Sequence, residues 1–218
     1  MKKLKIVFAI CLLVMFIPSI NVSAIKKPKQ DKKVILIDPG HGGIDGGAKS
    51  ANGTVEKDIN LSISLKLKKA LKKEGYKVYL TREEDKALCD SKRADLEERC
   101  NMKKETKCDV FISIHQNKFP SEKCFGAQVW YANNEKSNKI ATMLQESLKN
   151  NINDNNKRIE KPAQDLYKIL RDGYDGACVI VECGFLSNYE EEQKLKTDEH
   201  QDKIVKGIKE GINKYFAE

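Results

Sequence analysis

Short apolar runs alternate along this chain with longer stretches in which apolar residues return every three to four positions. The first run, Val34 to Asp38, predicts a strand. A glycine-rich loop, Gly40 to Gly53, follows it. Over Lys57 to Glu74, Ile59, Ile63, Leu67 and Ala70 recur at helical spacing, and Gly75 supplies a C-terminal cap. Lys77 to Thr81 predicts a second strand. Ser91 to Glu105 predicts a charged helix with Leu96, Cys100 and Lys103 in one row. Further strands are expected at Val110 to Ile114, at Ala127 to Ala132 and at Cys178 to Val181, the last in the centre of a sheet. Tyr167 to Leu170 reads as a short edge strand. Asn134 to Asn150 forms an amphipathic helix through Ile140, Leu144 and Leu148, the asparagine-rich stretch up to Asn156 a loop, and Gln201 to Phe216 a terminal helix. Strands that alternate with helices predict an α/β fold. The expected architecture is three-layered, a mostly parallel central sheet of about six strands with helices on both faces.

The N-terminus departs from this pattern. Lys2, Lys3 and Lys5 precede an apolar stretch from Ile6 to Ile17, Pro18 breaks it, and Val22-Ser23-Ala24 offers a small-residue cleavage site. Residues 1–24 therefore read as a signal peptide, or as an N-terminal anchor if left uncut. The stretch is short for a spanning helix, which needs about 20 residues. Residues 25–33 read as a linker, and 34–218 as the working domain. Either reading of the leader exports the protein, and membrane contact is expected only through that segment. Without the leader the net charge falls from +8 to +5, because three lysines leave with it. Lysines such as Lys66, Lys68 and Lys69 alternate with apolar residues as on a solvated helix face, which excludes a nucleic-acid patch. Of seven cysteines, Cys11 belongs to the leader and the other six show no CxxC pair. Mostly reduced, buried cysteines are expected.

Candidate chemistry gathers at the strand ends. Two of the chain's three histidines, His41 in Asp38-Pro39-Gly40-His41-Gly42-Gly43 and His115 in Ser113-Ile114-His115-Gln116-Asn117, directly follow apolar runs. Open α/β sheets present ligands at that edge. Glu56 begins a helix, and Glu182 ends the strand that starts at Cys178. Two histidines and a carboxylate holding zinc, with a further carboxylate as base, make up a hydrolytic zinc site. Each residue alone has a plainer reading. A helix dipole favours Glu56 without any metal, and a lone histidine at a strand end is more often structural. Gly42-Gly43 and Gly46-Gly47 are followed by no GK[ST], so they read as a loop bending around the metal and not as a phosphate cradle.

Taken in order, the Asp38–Gly43 segment, Glu56-Lys57-Asp58 with Leu61, Thr81-Arg82, Ser113–Asn117 and Val181-Glu182-Cys183-Gly184-Phe185-Leu186-Ser187-Asn188 resemble the zinc-dependent N-acetylmuramoyl-L-alanine amidases of the amidase 3 family. The resemblance extends from about Val34 to Phe216. It implies cleavage of the amide between the lactyl group of N-acetylmuramic acid and the first L-alanine of the peptidoglycan stem peptide. It also implies one zinc ion per chain on His41, Glu56 and His115, with Glu182 as the catalytic base. Lys92-Arg93-Ala94-Asp95-Leu96-Glu97-Glu98-Arg99 and the closing Gly207 to Phe216 are similar to the germination-specific, spore-cortex type, whose work leads to muramic-δ-lactam. The implied setting is the cell wall or the space around the forespore.

The chain departs from the family pattern at Lys118, at Gly176-Ala177 and at Cys183, which should face away from Glu182 and serve in packing. Arg82 would bind a stem-peptide carboxylate or pair with Asp85. Asn117 would orient substrate or stabilise its turn, and His200 reads as a surface residue. Phe119, Pro120, Cys124 and Phe125 put apolar groups just past a ligand, where an exported regulatory protein could dock or the loop could simply pack. The competing functions are a zinc peptidase or deacetylase on another wall substrate, and a metal-poor scaffold on the same fold.

Overall fold

The computed structural model describes residues 31–218. The expected leader, residues 1–24, and most of the linker lie outside the described residues. The sheet is built from β1 (Val34–Pro39), β2 (Lys77–Leu80), β3 (Val110–Asn117), β4 (Gln128–Tyr131), β5 (Lys161–Pro162) and β6 (Ala177–Phe185), in the spatial order β2-β1-β3-β6-β4-β5. β1, β2, β3 and β6 run parallel, while β4 is antiparallel to β6 and carries β5 parallel on its outer side. The expected three-layer α/β fold is therefore the fold observed.

One face of the sheet carries Ile35, Ile37, Ile112, Ile114, Val179 and Val181, all fully buried. Over it lie α1 (Glu56–Lys73), α3 (Glu135–Ile152) and α5 (Asp198–Ala217), which insert Ile63, Leu67, Leu144 and Ile208. The opposite face carries Leu36, Phe111, Cys178 and Ile180 and is covered by α2 (Lys92–Thr106) with a 3-10 turn at Lys168–Leu170. With both faces covered, the central strands become continuous apolar runs. Within α2 the row that includes Lys103 does face inward. Lys103 is fully buried and donates from Nζ to the Ile169 carbonyl and the Asp172 carboxylate, each at 2.7 Å, which ties the 168–172 segment to the helix.

Three differences from the sequence expectation have physical causes. Tyr167–Leu170 is not an edge strand. Its last three residues close a 3-10 turn, and the edge is the two-residue β5, where Pro162 cannot donate to a ladder. A short helix, α4 (Tyr189–Leu195), was unexpected. Asn188 caps it by accepting from the Glu191 backbone N–H, and Glu190, Glu191 and Glu192 fill its first turn, where the dipole favours them. Finally, β3 and β6 continue through His115 and Glu182, so these residues lie within paired strands.

Candidate metal centre

From the end of β1 the chain crosses α1 to β2 on one side, and beyond β3 the sheet continues through β6 on the other. The carboxyl ends of β1 and β3 thus face a switch in strand order, where open α/β sheets form crevices. His41 lies just past β1 with φ 62°, a left-handed conformation that a non-glycine residue rarely holds without support. The support is dense. Arg82, almost fully buried, donates to the carbonyls of Pro39, Gly40 and Lys57, all at 3.0 Å, and of Glu84 at 3.1 Å. Arg99 of α2 donates to the His41 carbonyl at 2.9 Å and pairs with Asp38 and Asp95. Asp38 also accepts from the hydroxyls of Thr81 and Ser113, each at 2.6 Å. Burial alone would raise the Asp38 carboxyl, but Arg99 and the two hydroxyls hold it below its ordinary value.

Glu56 is the first residue of α1 and is 3% exposed. Its Oε1 lies 2.8 Å from His115 Nδ1 and accepts from the Gln116 backbone at 3.1 Å. Its Oε2 accepts from the Ala48 backbone at 2.7 Å and lies 3.3 Å from His41 Nε2. One donor atom from each of His41, Glu56 and His115 falls within 4.8 Å of the others, the spacing a single metal ion needs. The glycines nearby leave room for these donors. A Cβ on Gly40 would run into the His115 ring, and one on Gly47 would meet Glu56 Oε2 at 2.5 Å. Asp45 lies 3.0 Å from His41 Nδ1, which leaves Nε2 turned toward Glu56, the usual way a carboxylate orients a metal-binding imidazole. Burial would push the Glu56 carboxyl up, but His115 and His41 draw it far below the carboxylate range. Burial would likewise lower His41, yet Glu56 and Asp45 carry it above its ordinary value. Two imidazoles and a deprotonated carboxylate are a donor set suited to zinc.

Glu182 stands directly opposite His115 in the parallel pairing of β6 with β3, so both side chains rise on one face. It is 8% exposed, and its Oε2 has no hydrogen-bond partner among the described residues. Burial, opposed by His115 and assisted by Glu56, pushes its carboxyl up to about 7. His41, Glu56, His115, Asn117, Tyr167 and Glu182 line one cavity of about 490 Å³. A second cavity, of about 240 Å³, is lined by His41 together with Ala87, Cys89 and Lys92.

Residues 35–214 match the family described as N-acetylmuramoyl-L-alanine amidase. The chain belongs to this amidase family. It is 35% identical over 195 residues to the germination-specific N-acetylmuramoyl-L-alanine amidase of Bacillus subtilis, covering 85% of this chain and 81% of that one. The CwlD amidase of Clostridioides difficile, solved in complex with the GerS lipoprotein, superposes with a TM-score of 0.81 at 37% identity over 85% of this chain and 99% of that one. The catalytic domain of the CwlV amidase of Bacillus (Paenibacillus) polymyxa gives 0.76 at 29% identity, with 85% and 98% covered. The activity is accordingly that of an amidase acting on peptidoglycan.

Within this amidase the other candidates fall into distinct places. Asn117 lines the larger cavity. Arg82 neither faces that cavity nor pairs with Asp85; its hydrogen bonds go to carbonyls, and Asp85 pairs with Lys57 at 2.7 Å. The reason is burial beneath the loop it supports. Cys183 packs with the core on the α1 and α5 face, away from Glu182, and burial pushes its thiol far up. All six described cysteines are free, four of them buried. His200 is half-buried in the first turn of α5 and is not in the ligand set. Phe119 and Phe125 are 55% and 42% exposed. Among the described residues no helix is long and apolar enough to cross a membrane. No role was legible in the sequence for Asp45, Arg99 or Tyr167, nor for Asn60, which donates to Glu56 Oε1 and to the Gly40 carbonyl, each at 3.2 Å. The Asp38–His41 segment and the arginine run of α2 were both visible, but nothing in one dimension paired them.

Proposed function

We propose that this chain is a zinc-dependent N-acetylmuramoyl-L-alanine amidase of the spore cortex, with His41, Glu56 and His115 holding one zinc ion and Glu182 acting as the base. The observation that carries this reading is the register pairing of Glu182 with His115 beside the three-residue donor cluster. When bound, the ion supplies Lewis acidity, polarising the scissile carbonyl and acidifying water. Glu182, with a carboxyl poised near neutrality, takes a proton from the water that attacks the lactyl carbonyl carbon. As the carbon–nitrogen bond breaks, Glu182 returns that proton to the departing L-alanine nitrogen, leaving a carboxylate on the muramic acid. Asp45 keeps His41 in the required orientation, and Asn117 contacts substrate from the cavity wall.

The cortex role draws support from the germination-specific relative. Residues 1–24 act as the export signal, which puts the enzyme in the cell wall or around the forespore. The C. difficile enzyme was solved in complex with the GerS lipoprotein, which supports a protein partner for this chain; the one proposed is an exported regulatory protein docking at the loop of Phe119 and Phe125. Unchanged activity and metal retention for Phe119→Ser in spore extracts would end that idea.

The chain without its leader should be incubated with cortex and with vegetative peptidoglycan, in zinc, in chelator and as Glu182→Ala. Stem peptides beginning with L-alanine, lost with chelator and in the variant, are the expected products by mass spectrometry. Release of a different fragment by zinc-loaded protein would instead favour a peptidase or deacetylase.

A further inference from the structure

We infer that Glu192, on α4, is a positioning residue that sets the affinity of the metal centre by clasping the loop that presents Glu56; the inference rests on the zinc reading above. Glu192 is 1% exposed although it belongs to a short, strongly acidic helix. Its Oε1 accepts from Ser50 Oγ at 2.7 Å and from Thr54 Oγ1 at 2.5 Å, and its Oε2 from Asn52 Nδ2 at 2.6 Å. All three donors come from one turn, which closes on itself through Ser50 N–H to the Thr54 carbonyl at 2.9 Å. The stem of that turn is the Lys49–Val55 bridge. At its base, Glu56 N–H donates to the Ala48 carbonyl at 2.9 Å while Ala48 N–H donates to Glu56 Oε2 at 2.7 Å. One end of the hairpin therefore holds a ligand carboxylate, and the other is held by Glu192.

The helix supplying the clasp is itself anchored to the strand of the proposed base. Glu191 accepts from the Phe185 backbone, at the end of β6, at 2.8 Å and from Gly126 at 2.9 Å. Glu192 thus fixes the ligand hairpin relative to the strand of Glu182. Burial would raise its carboxyl, but Thr54, Asn52 and Ser50 keep it below its ordinary value, so it works as a charged acceptor. Without the clasp, ordering the hairpin becomes a cost of metal binding. Glu192 touches neither ligand side chain nor cavity, so catalysis by zinc-saturated enzyme should survive its loss.

The test is a zinc competition titration of the full chain as wild type, Glu192→Gln, Asn52→Ala and the double variant, alongside the melting temperature of each metal-free protein and kcat and KM in excess zinc. Glu192→Gln keeps Oε1 for Ser50 and Thr54 but turns a donor toward Asn52. Each single variant should weaken zinc by roughly tenfold, the lower end of what outer-sphere partners contribute. The double variant should be no weaker than the weaker single variant, because both remove the same bond. kcat and KM in excess zinc should match wild type. A lowered melting temperature with unchanged zinc affinity would make the clasp merely structural and overturn the inference, as would a kcat that excess zinc does not restore. If Glu192→Gln does not fold, Asn52→Ala at the exposed tip decides alone. Wild-type protein that takes up no zinc would sink the metal reading itself, a failure distinct from that of Glu192.

Discussion

The side chains at the centre are assigned work that their surroundings make possible. Glu182 is an acid within the apolar strand β6, and burial, against the opposing pull of His115, lifts its carboxyl in the metal-free protein to about 7, suited to taking and returning a proton. Glu182→Gln preserves shape and removes that capacity. Activity should fall by about 10²–10⁴-fold with zinc content intact, and a variant retaining a tenth of wild-type turnover would exclude the base role. His41 makes a different prediction. Its pKa is raised because Glu56 and Asp45 outweigh burial, so in the metal-free protein it stays protonated to higher pH. Metal must displace that proton. Apparent zinc affinity should therefore weaken as pH falls, by up to about tenfold per unit for each proton displaced. Titrations at pH 6 and pH 8 that gave one affinity would contradict this.

At the scale of elements, local rules account for most of what forms and tertiary contacts for where it ends. The apolar runs and helical periodicities marked β1, β2, α1 and α3 within a residue or two, since each signal is repeated along the element. β5 has only two residues and no periodicity to read, and its place is set by pairing with Trp130 and Tyr131. α4 carried a legible signal, Asn188 followed by Glu191 three residues on, as in a capping box, though too short to stand out. The contact of α3 with α5 depends on glycine. A Cβ on Gly211 would lie 2.9 Å from the Leu144 Cα and 2.8 Å from its Cδ2, so the helices would have to part. Gly211→Ala gains up to about 1 kcal/mol in helix propensity but overpacks this crossing at about 1–3 kcal/mol. A lower melting temperature is expected, and a rise would show that the crossing tolerates a methyl group.

For the whole molecule, the proposed metal joins segments that the chain keeps far apart, so it should hold the fold as well as serve catalysis. At a hundredfold excess over its dissociation constant, a ligand specific to the folded state adds about 2.7 kcal/mol. Chelation should then lower the melting temperature by roughly 5–10 °C, given about 2–4 °C per kcal/mol at this size. No change on chelation would mean that the donor cluster stands without metal. Reductant should leave the transition where it is, since the described cysteines are free. The α/β class, the alternation of elements and the candidacy of His41, Glu56, His115 and Glu182 were legible in the amino-acid order alone. These depend on periodicity and on residue type, which are properties of the line. The folded arrangement alone reveals that Arg82 donates to the carbonyls of the loop carrying His41, that Arg99 and Asp38 hold the His41 backbone, and that Glu192 closes on Ser50, Asn52 and Thr54. Arg82 lies 42 residues from the Gly40 carbonyl it supports, and Glu192 lies 138 to 142 residues from its donors. Such partners are chosen by which strand lies beside which and which face is buried, and no local pattern encodes that choice.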